Sequence, residues 1–397
     1  MALTLQLPTN NGRLQAYTLS AATPIATAPA GTRFNRVAYS AAHVVADARA
    51  EIDPWLQCAI DWDATIAYRQ RLWSLGLGVA EAMDTAQRGM GLDWPTSLEL
   101  IRRSLDAARD MPDALIASGC GTDHLLVESA RSIDDVIRAY EEQMAAIEAL
   151  GGKLIVMASR ALARVAKSPA DYEKVYDRVL RQARQPVILH WLGDMFDPAL
   201  KGYWGNDDPD VAMDTALAVI NANVHKVDGI KISLLDKDKE IAMRRRLPVQ
   251  VRMYTGDDFN YAELIGGDGV GASDNQRQSD ALLGIFDAIA PAANAALAAL
   301  ARGDNERFHA ILAPTVPLSR HIFAAPTRFY KTGVIFMAWL NGHQDHFAMV
   351  GGQQSSRSLP HFAELFRLAD AASLLDRPDL AVRRMKTLLA LHGIGDS

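Results

Sequence analysis

From about Phe34 onward, short apolar and β-branched runs alternate with longer stretches in which apolar positions recur every three to four residues. A short continuous apolar run reads as a strand buried on both faces, and the longer period reads as a helix lying on it. The predicted strands are Val37–Ser40, Gly78–Met83, Asp113–Ser118, Lys153–Ala158, Val187–Trp191, Val227–Ser233, Val249–Tyr254 and a very short Gly269–Ala272. Between them Asp63–Leu75, Trp94–Ala108, Ser132–Leu150, Ser168–Ala183 and Pro209–Ala222 read as helices. Several starts carry cap chemistry. Thr96 is the expected cap of the second helix, Ser132 is followed by Asp134 and Asp135 in the first helical turn, and Ser168 precedes Pro169.

Strand–helix alternation implies parallel strands joined by helical crossovers. Eight such units between residues 37 and 272 have the size of a (β/α)8 TIM barrel. A doubly wound sheet is the alternative, but it calls for a glycine-rich phosphate loop after its first strand. Ser40-Ala41-Ala42-His43 stands there without a glycine. After Asp274 the strand signals stop, and Asp280–Ala301 and the segments beyond it read helical. The expected organisation is an N-terminal arm (1–33), a barrel (34–275) and a C-terminal helical extension (276–397).

Composition narrows the function. The chain has 397 residues, 49% hydrophobic and 22% charged, which is globular and long enough for a large unstapled core. The net charge of −6 argues against a nucleic-acid partner. No uncharged apolar run reaches the roughly 18 residues of a membrane span, and no basic-then-apolar leader opens the sequence. A cytoplasmic protein is therefore expected. Two cysteines, Cys58 and Cys120, exclude a disulfide scaffold and any site needing several thiolates.

Reactive groups in such a barrel sit at the C-terminal strand ends. There the sequence places His43; Glu81, Asp84 and Thr85; Ser118 and Cys120; Ser159 and Arg160; His190 and Trp191; Lys231; Asp257 and Asp258; Ser273 and Asp274. Lys231 lies inside the apolar strand Val227–Ile232. Facing the barrel mouth, a lysine loses solvation, its pKa falls, and the neutral amine can attack a carbonyl to form a Schiff base. The bland reading is a lysine reaching solvent or paired with a carboxylate. His190 ends Val187-Ile188-Leu189-His190 as a general acid/base or as a satisfied core residue. His43, Glu81, His190 and Asp257 offer a mixed ligand set for a divalent metal ion, without any short ligand spacing. Arg244-Arg245-Arg246 reads as a solvated helix end, and Gly266-Gly267-Asp268-Gly269 as a tight turn.

The order of these motifs resembles the dihydrodipicolinate synthase / N-acetylneuraminate lyase superfamily, and more closely an uncharacterised branch of it, a domain of unknown function. Val227-Asp228-Gly229-Ile230-Lys231 is similar to the superfamily's Val-x-Gly-Ile-Lys, and Gly256-Asp257-Asp258 to its G-D-D turn. Leu264–Ser273 resembles the run that follows this turn, and Ala298–His309 a helix turn of the C-terminal extension. The likeness spans residues of about 35 to 340. It implies a barrel with a helical extension, a homodimer or homotetramer, and a Schiff base on Lys231 with no further cofactor.

The departures are as informative. Where the superfamily carries a proton-shuttling Tyr, this chain has His190. Where it carries Gly-Thr-Thr-Gly-Glu, whose Thr pair holds a substrate carboxylate, this chain reads Asp84-Thr85-Ala86-Gln87-Arg88. A carboxylate at Asp84 repels a substrate carboxylate. The expected activity is thus a lysine-imine lyase, aldolase or dehydratase on a small carbonyl compound, a keto sugar or sugar-acid derivative rather than pyruvate. Lys231 and His190 are the expected catalytic residues. Asp84, Thr85, Glu81, Ser159, Asp257 and Ser273 are the expected substrate-binding ones. The alternatives are a metal-dependent lyase, isomerase or epimerase on the same barrel, and a non-catalytic small-molecule sensor.

Overall fold

A computed structural model describes residues 3–9, 11–20 and 23–395. Ten strands occur among them. β1 (Thr4–Pro8) and β2 (Leu14–Thr18) form an antiparallel hairpin. The others are β3 (Ala38–Ala41), β4 (Gly78–Glu81), β5 (Ile116–Cys120), β6 (Leu154–Met157), β7 (Val187–Leu192), β8 (Val227–Ser233), β9 (Arg252–Thr255) and β10 (Asp280–Leu283). These eight close into a parallel barrel in the order β10-β3-β4-β5-β6-β7-β8-β9. The predicted TIM barrel is the fold.

The barrel has two apolar faces, as its near-continuous apolar strands require. Tyr39, Ala41, Ala80, Ala117, Ile155, Met157, Ile188, Tyr254 and Leu282 pack inside it with Met83. Alternate residues such as Val79, Val156, Leu189, Ile230 and Leu283 pack outward into the main core under the helices. This period of two decides which polar residues can see the mouth.

The last strand is a correction. Residues 269–272 form no strand; they belong to a loop that turns at Gly267 (φ 80°) and Gly269 (φ 70°). The eighth barrel strand is β10, inside the segment read as helical, so the barrel runs past residue 275 to at least Leu283. Its Asp-Ala-Leu-Leu sequence is buried at every position and carries no alternation. Asp280 fastens both seams: its carboxylate accepts from Val37 N at 2.7 Å and from Arg252 Nη1 at 2.7 Å.

Local signals fared unevenly. Ser132 caps helix Ile133–Ala149 in a full capping box with Asp135, and Ser168 forms one with Asp171. The cap of helix Trp94–Arg109 is Asp93, not Thr96; its carboxylate accepts from Thr96 N at 2.9 Å, ahead of Pro95 in the first turn. Arg244 is not solvated. It is 1% exposed, pairs with Asp268 at 3.2 Å and donates to Leu264 O and Gln276 O.

Beyond β10 the chain continues in helices Ile285–Ala288, Ala290–Ala301, Asn305–Leu312, Thr315–Ile322, Tyr330–Leu340, Leu359–Ala371 and Pro378–Leu391. Every residue of Tyr330–Leu340 is buried. The N-terminal hairpin joins this extension: Tyr17 Oη and Ser20 N both donate to Asp370 Oδ2, at 2.7 and 2.8 Å. No helix among the described residues is long and apolar enough to cross a membrane.

Candidate active site

Residue parity brings Lys231 and His190 to the same wall of the barrel. They are register partners on β8 and β7, one step above the inward-facing Gly229 and Ile188. Lys231 is 7% exposed, and its Nζ donates no hydrogen bond to another described residue. Burial lowers its pKa, while the carboxylates of Asp84 and Asp258 pull the other way. His190 is 1% exposed; its Nε2 stands 3.4 Å from Ser233 Oγ. Burial, and then the charge on Lys231, push its pKa well below the ordinary 6.5. At neutral pH the imidazole is therefore unprotonated and able to accept a proton.

The Gly256-Asp257-Asp258 turn has a physical reason. A Cβ on Gly256 would lie 2.4 Å from Ser233 Oγ, 2.5 Å from Ile232 O and 2.8 Å from Lys231 Cε. Glycine leaves the lysine chain its path. Asp257 closes its own turn, accepting from Phe259 N at 2.8 Å and from Asn260 N and Nδ2 at 3.0 and 2.8 Å. Asp258, one residue on, is the group near Lys231. Burial raises its pKa to about 7, offset by the Ile285 N–H at 2.8 Å and by Lys231.

The loop after β4 brings Asp84 and Thr85 to the mouth. Its backbone is held in unusual conformations at Ala82 (φ 52°) and Gln87 (φ 65°), either side of the short 3-10 turn Asp84–Ala86. Gln87 Nε2 donates to Val350 O at 2.7 Å and Gln353 Nε2 to Met90 O at 2.6 Å, so the polar loop around residues 351–358 packs against this segment. Asp84 and His190 both line a cleft of about 250 Å³ that also includes Arg88, Arg160 and Asp197. Thr85 is buried, with Oγ1 2.8 Å from Tyr330 Oη. Lys331, next along, is also buried; burial lowers its pKa to about 8 against the pull of Asp84.

Four expected substrate contacts are engaged within the protein or lie away from the mouth. Glu81 points outward from β4 into a fully buried ion pair, with Arg69 Nε and Nη2 each at 2.9 Å, Ser104 Oγ at 2.5 Å and Ala82 N at 2.8 Å. Ser159 caps helix Arg160–Val165 and bonds Thr122 Oγ1 at 2.6 Å. Asp257 is used up by its turn. Ser273 precedes helix Asp274–Arg277 in the loop that leads into β10, at the barrel end opposite the mouth.

The four residues weighed as metal ligands are not gathered. His43 is fixed by Asp287, whose carboxylate oxygens stand 2.9 and 2.8 Å from Nδ1; Glu81 faces Arg69, Asp257 its own turn, and His190 the cleft. Among the described residues no group of three or more His, Cys, Asp or Glu side chains is placed to hold a metal ion. Three residues outside the expected catalytic and substrate-binding set adjoin the site: Asp258, Tyr330 and Lys331. Asp258 was legible as the neighbour of Asp257. The other two come from the extension, where no motif points to Tyr330 or Lys331.

The fold is a parallel eight-stranded barrel with a buried lysine and a buried histidine paired across adjacent strands, and with Asp84 and Asp258 on the loops that follow its strands. The chain belongs to the family described as "Protein of unknown function (DUF993)", whose model matches residues 5–394. Its fold is that of the dihydrodipicolinate synthases. The Aquifex aeolicus dihydrodipicolinate synthase superposes with a TM-score of 0.64 at 12% identity, over 86% of this chain and 99% of that one. YagE, an E. coli K12 prophage protein of the dihydrodipicolinic acid synthase family solved with pyruvate, gives 0.62 at 14%, over 91% and 99%. The Acinetobacter baumannii dihydrodipicolinate synthase, also solved with pyruvate, gives 0.61 at 14%, over 85% and 99%. At these identities the likeness is one of fold. No curated protein matches the chain.

Proposed function

We propose that the protein is a lysine-imine lyase, aldolase or dehydratase whose substrate is a small keto sugar or sugar-acid derivative. The observation that carries this reading is the pairing across β7 and β8 of two buried side chains, Lys231, which has no hydrogen bond to another described residue, and His190, whose pKa burial and the lysine charge both lower. Burial gives Lys231 a larger neutral fraction than a surface lysine. The neutral amine adds to the substrate carbonyl, and loss of water leaves an iminium. His190 removes a proton from the adjacent carbon, and the electron pair moves into the C–N system as an enamine. Reprotonation, elimination of a β-hydroxyl as water, or carbon–carbon cleavage in the reverse aldol sense follows from the same intermediate.

The preference against pyruvate rests on Asp84. Its carboxylate heads the charges that act on Lys231, so a second carboxylate bound beside the imine would meet it at close range. A hydroxyl would instead be offered an acceptor. Arg160, further out in the cleft, gives an acid group at the far end of a longer substrate a cation to approach, although it is already paired with Asp197.

The test uses dihydroxyacetone as a neutral ketone and pyruvate as a 2-oxo acid, each in D2O, with proton exchange at the carbon next to the carbonyl followed by NMR. Exchange of dihydroxyacetone above the buffer rate, faster than that of pyruvate and abolished by Lys231→Met, is expected. Exchange that survives Lys231→Met would overturn the imine reading, and faster exchange of pyruvate would overturn the substrate preference.

A further inference from the structure

Imine formation needs a second proton carrier besides His190. When Nζ adds to a carbonyl, the nitrogen gains a positive charge and the oxygen a negative one, and a proton must pass between them. His190 stands beside Lys231 on the neighbouring strand. The opposite wall is β4, four strands from β8 in the closed ring of eight. The loop after β4 carries Thr85, whose Oγ1 is 2.8 Å from Tyr330 Oη. Resting on the imine reading above, we infer that Tyr330, delivered by the C-terminal extension and paired with Thr85, is a proton-transfer residue facing Lys231 across the mouth.

Three observations place the phenol there. Its ring is clamped, stacked on Phe323 at 4.4 Å between centroids and 14° between planes, with the edge of Phe196 at 5.9 Å. It passes over Gly284, the residue after β10, where a Cβ would come within 3.1 Å of Tyr330 Cε2 and 3.5 Å of Thr85 Oγ1. The next backbone N–H, that of Ile285, donates to Asp258. Finally, Lys231 Cε runs past Gly256, two residues before Asp258, while Tyr330 covers Gly284, whose neighbour Ile285 donates to Asp258, so both groups adjoin the turn that carries this carboxylate; Asp84 and Asp258 act electrostatically on both. Burial and these carboxylates disfavour a standing phenolate. The hydroxyl therefore serves as a relay that begins and ends protonated.

The step balances. The Nζ lone pair forms the C–N bond, and the carbonyl π pair moves onto oxygen. Tyr330 gives its proton to that oxygen and recovers one from the nitrogen, with Thr85 steadying the phenol through its own O–H. The phenol then gives its proton to the carbinolamine oxygen, the nitrogen lone pair expels that oxygen as water to leave the iminium, and a proton from solvent restores the phenol.

The test is the rate at which Lys231 is reductively alkylated by dihydroxyacetone in saturating cyanoborohydride, read by intact-protein mass. Tyr330→Phe keeps the ring stack and is expected to slow adduct formation roughly a hundredfold or more, the range for a general acid/base group. The final adduct yield should stay at the wild-type value and the thermal midpoint should fall by only about 1 to 4 °C, the cost of one lost buried hydrogen bond, so the defect is one of rate and not of fold. Thr85→Val should slow the rate in the same direction and provides a second reading if Tyr330→Phe folds poorly. A wild-type rate in both variants would overturn the assignment while leaving Lys231 in place. No adduct in the wild-type protein would instead refute the imine reading beneath it.

Discussion

Replacing Glu81 by Gln keeps the volume of the side chain and removes its charge. Glu81 and Arg69 are both fully buried, and the guanidinium meets the carboxylate through two parallel bonds of 2.9 Å. Arg69 also donates to His43 O and, at 3.2 Å, to Thr65 O, so it cannot swing out to water without breaking the join between β3 and the first barrel helix. Removing one partner of such a pair leaves the other charge buried and uncompensated, at a cost of about 3 to 5 kcal/mol. With an unfolding entropy of about 2.1 cal/mol/K per residue, the 397 residues give roughly 0.8 kcal/mol per kelvin, so the midpoint should fall by roughly 4 to 6 °C. Differential scanning calorimetry measures the shift, and trapping of dihydroxyacetone on the folded variant measures the site. Glu81→Gln should melt earlier yet form the Lys231 adduct at close to the wild-type rate. An unchanged midpoint with a lost adduct would refute the outward placement of Glu81 and return it to the substrate.

Asp84→Asn removes the carboxylate that opposes a substrate carboxylate, so the ratio of pyruvate to dihydroxyacetone trapping should rise about tenfold or more, the effect of roughly 1.4 kcal/mol at partial burial; an unchanged ratio would remove the argument against 2-oxo acids. Gly256→Ala should slow trapping sharply, because the added methyl meets Ile232 O and Ser233 Oγ before it can avoid Lys231 Cε; a normal rate would show that the turn has slack. Glu240 is buried with its pKa raised to about 8, accepting from Ser279 Oγ at 2.8 Å. Its folded pKa lies above the ordinary 4.5, so the stability it adds is full below about pH 4.5 and is lost as the pH rises through about 8, by on the order of 1 kcal/mol per unit. Glu240→Gln should flatten urea-unfolding stability across that window and exceed wild type near pH 8; parallel curves would show that Glu240 does not titrate there.

What was legible in the sequence follows from how each feature is encoded. Seven barrel strands announced themselves because apolar runs alternated with amphipathic helices, and Lys231 stood out because a charge interrupts such a run. β10 did not, because Asp-Ala-Leu-Leu buried on both faces looks the same as the start of a helix. Glu81 and Asp84 looked equivalent as strand-end carboxylates. Only the inward position of Ala80 shows that Glu81 must point out, and an all-apolar strand hides that parity. Asp257 and Asp258 are neighbours with opposite fates, settled by which one the Asn260 turn captures. Tyr330 and Lys331 were beyond reach, since they arrive from a helix some hundred residues past the lysine through tertiary packing alone.

The claim on which the rest depends is that Lys231 is the group that bonds to substrate. Borohydride reduction of the protein with dihydroxyacetone, followed by peptide mass mapping, tests it most directly. The account predicts a single adduct on Lys231, absent from Lys231→Met. An adduct spread over surface lysines, or one on Lys331 in place of Lys231, would contradict it.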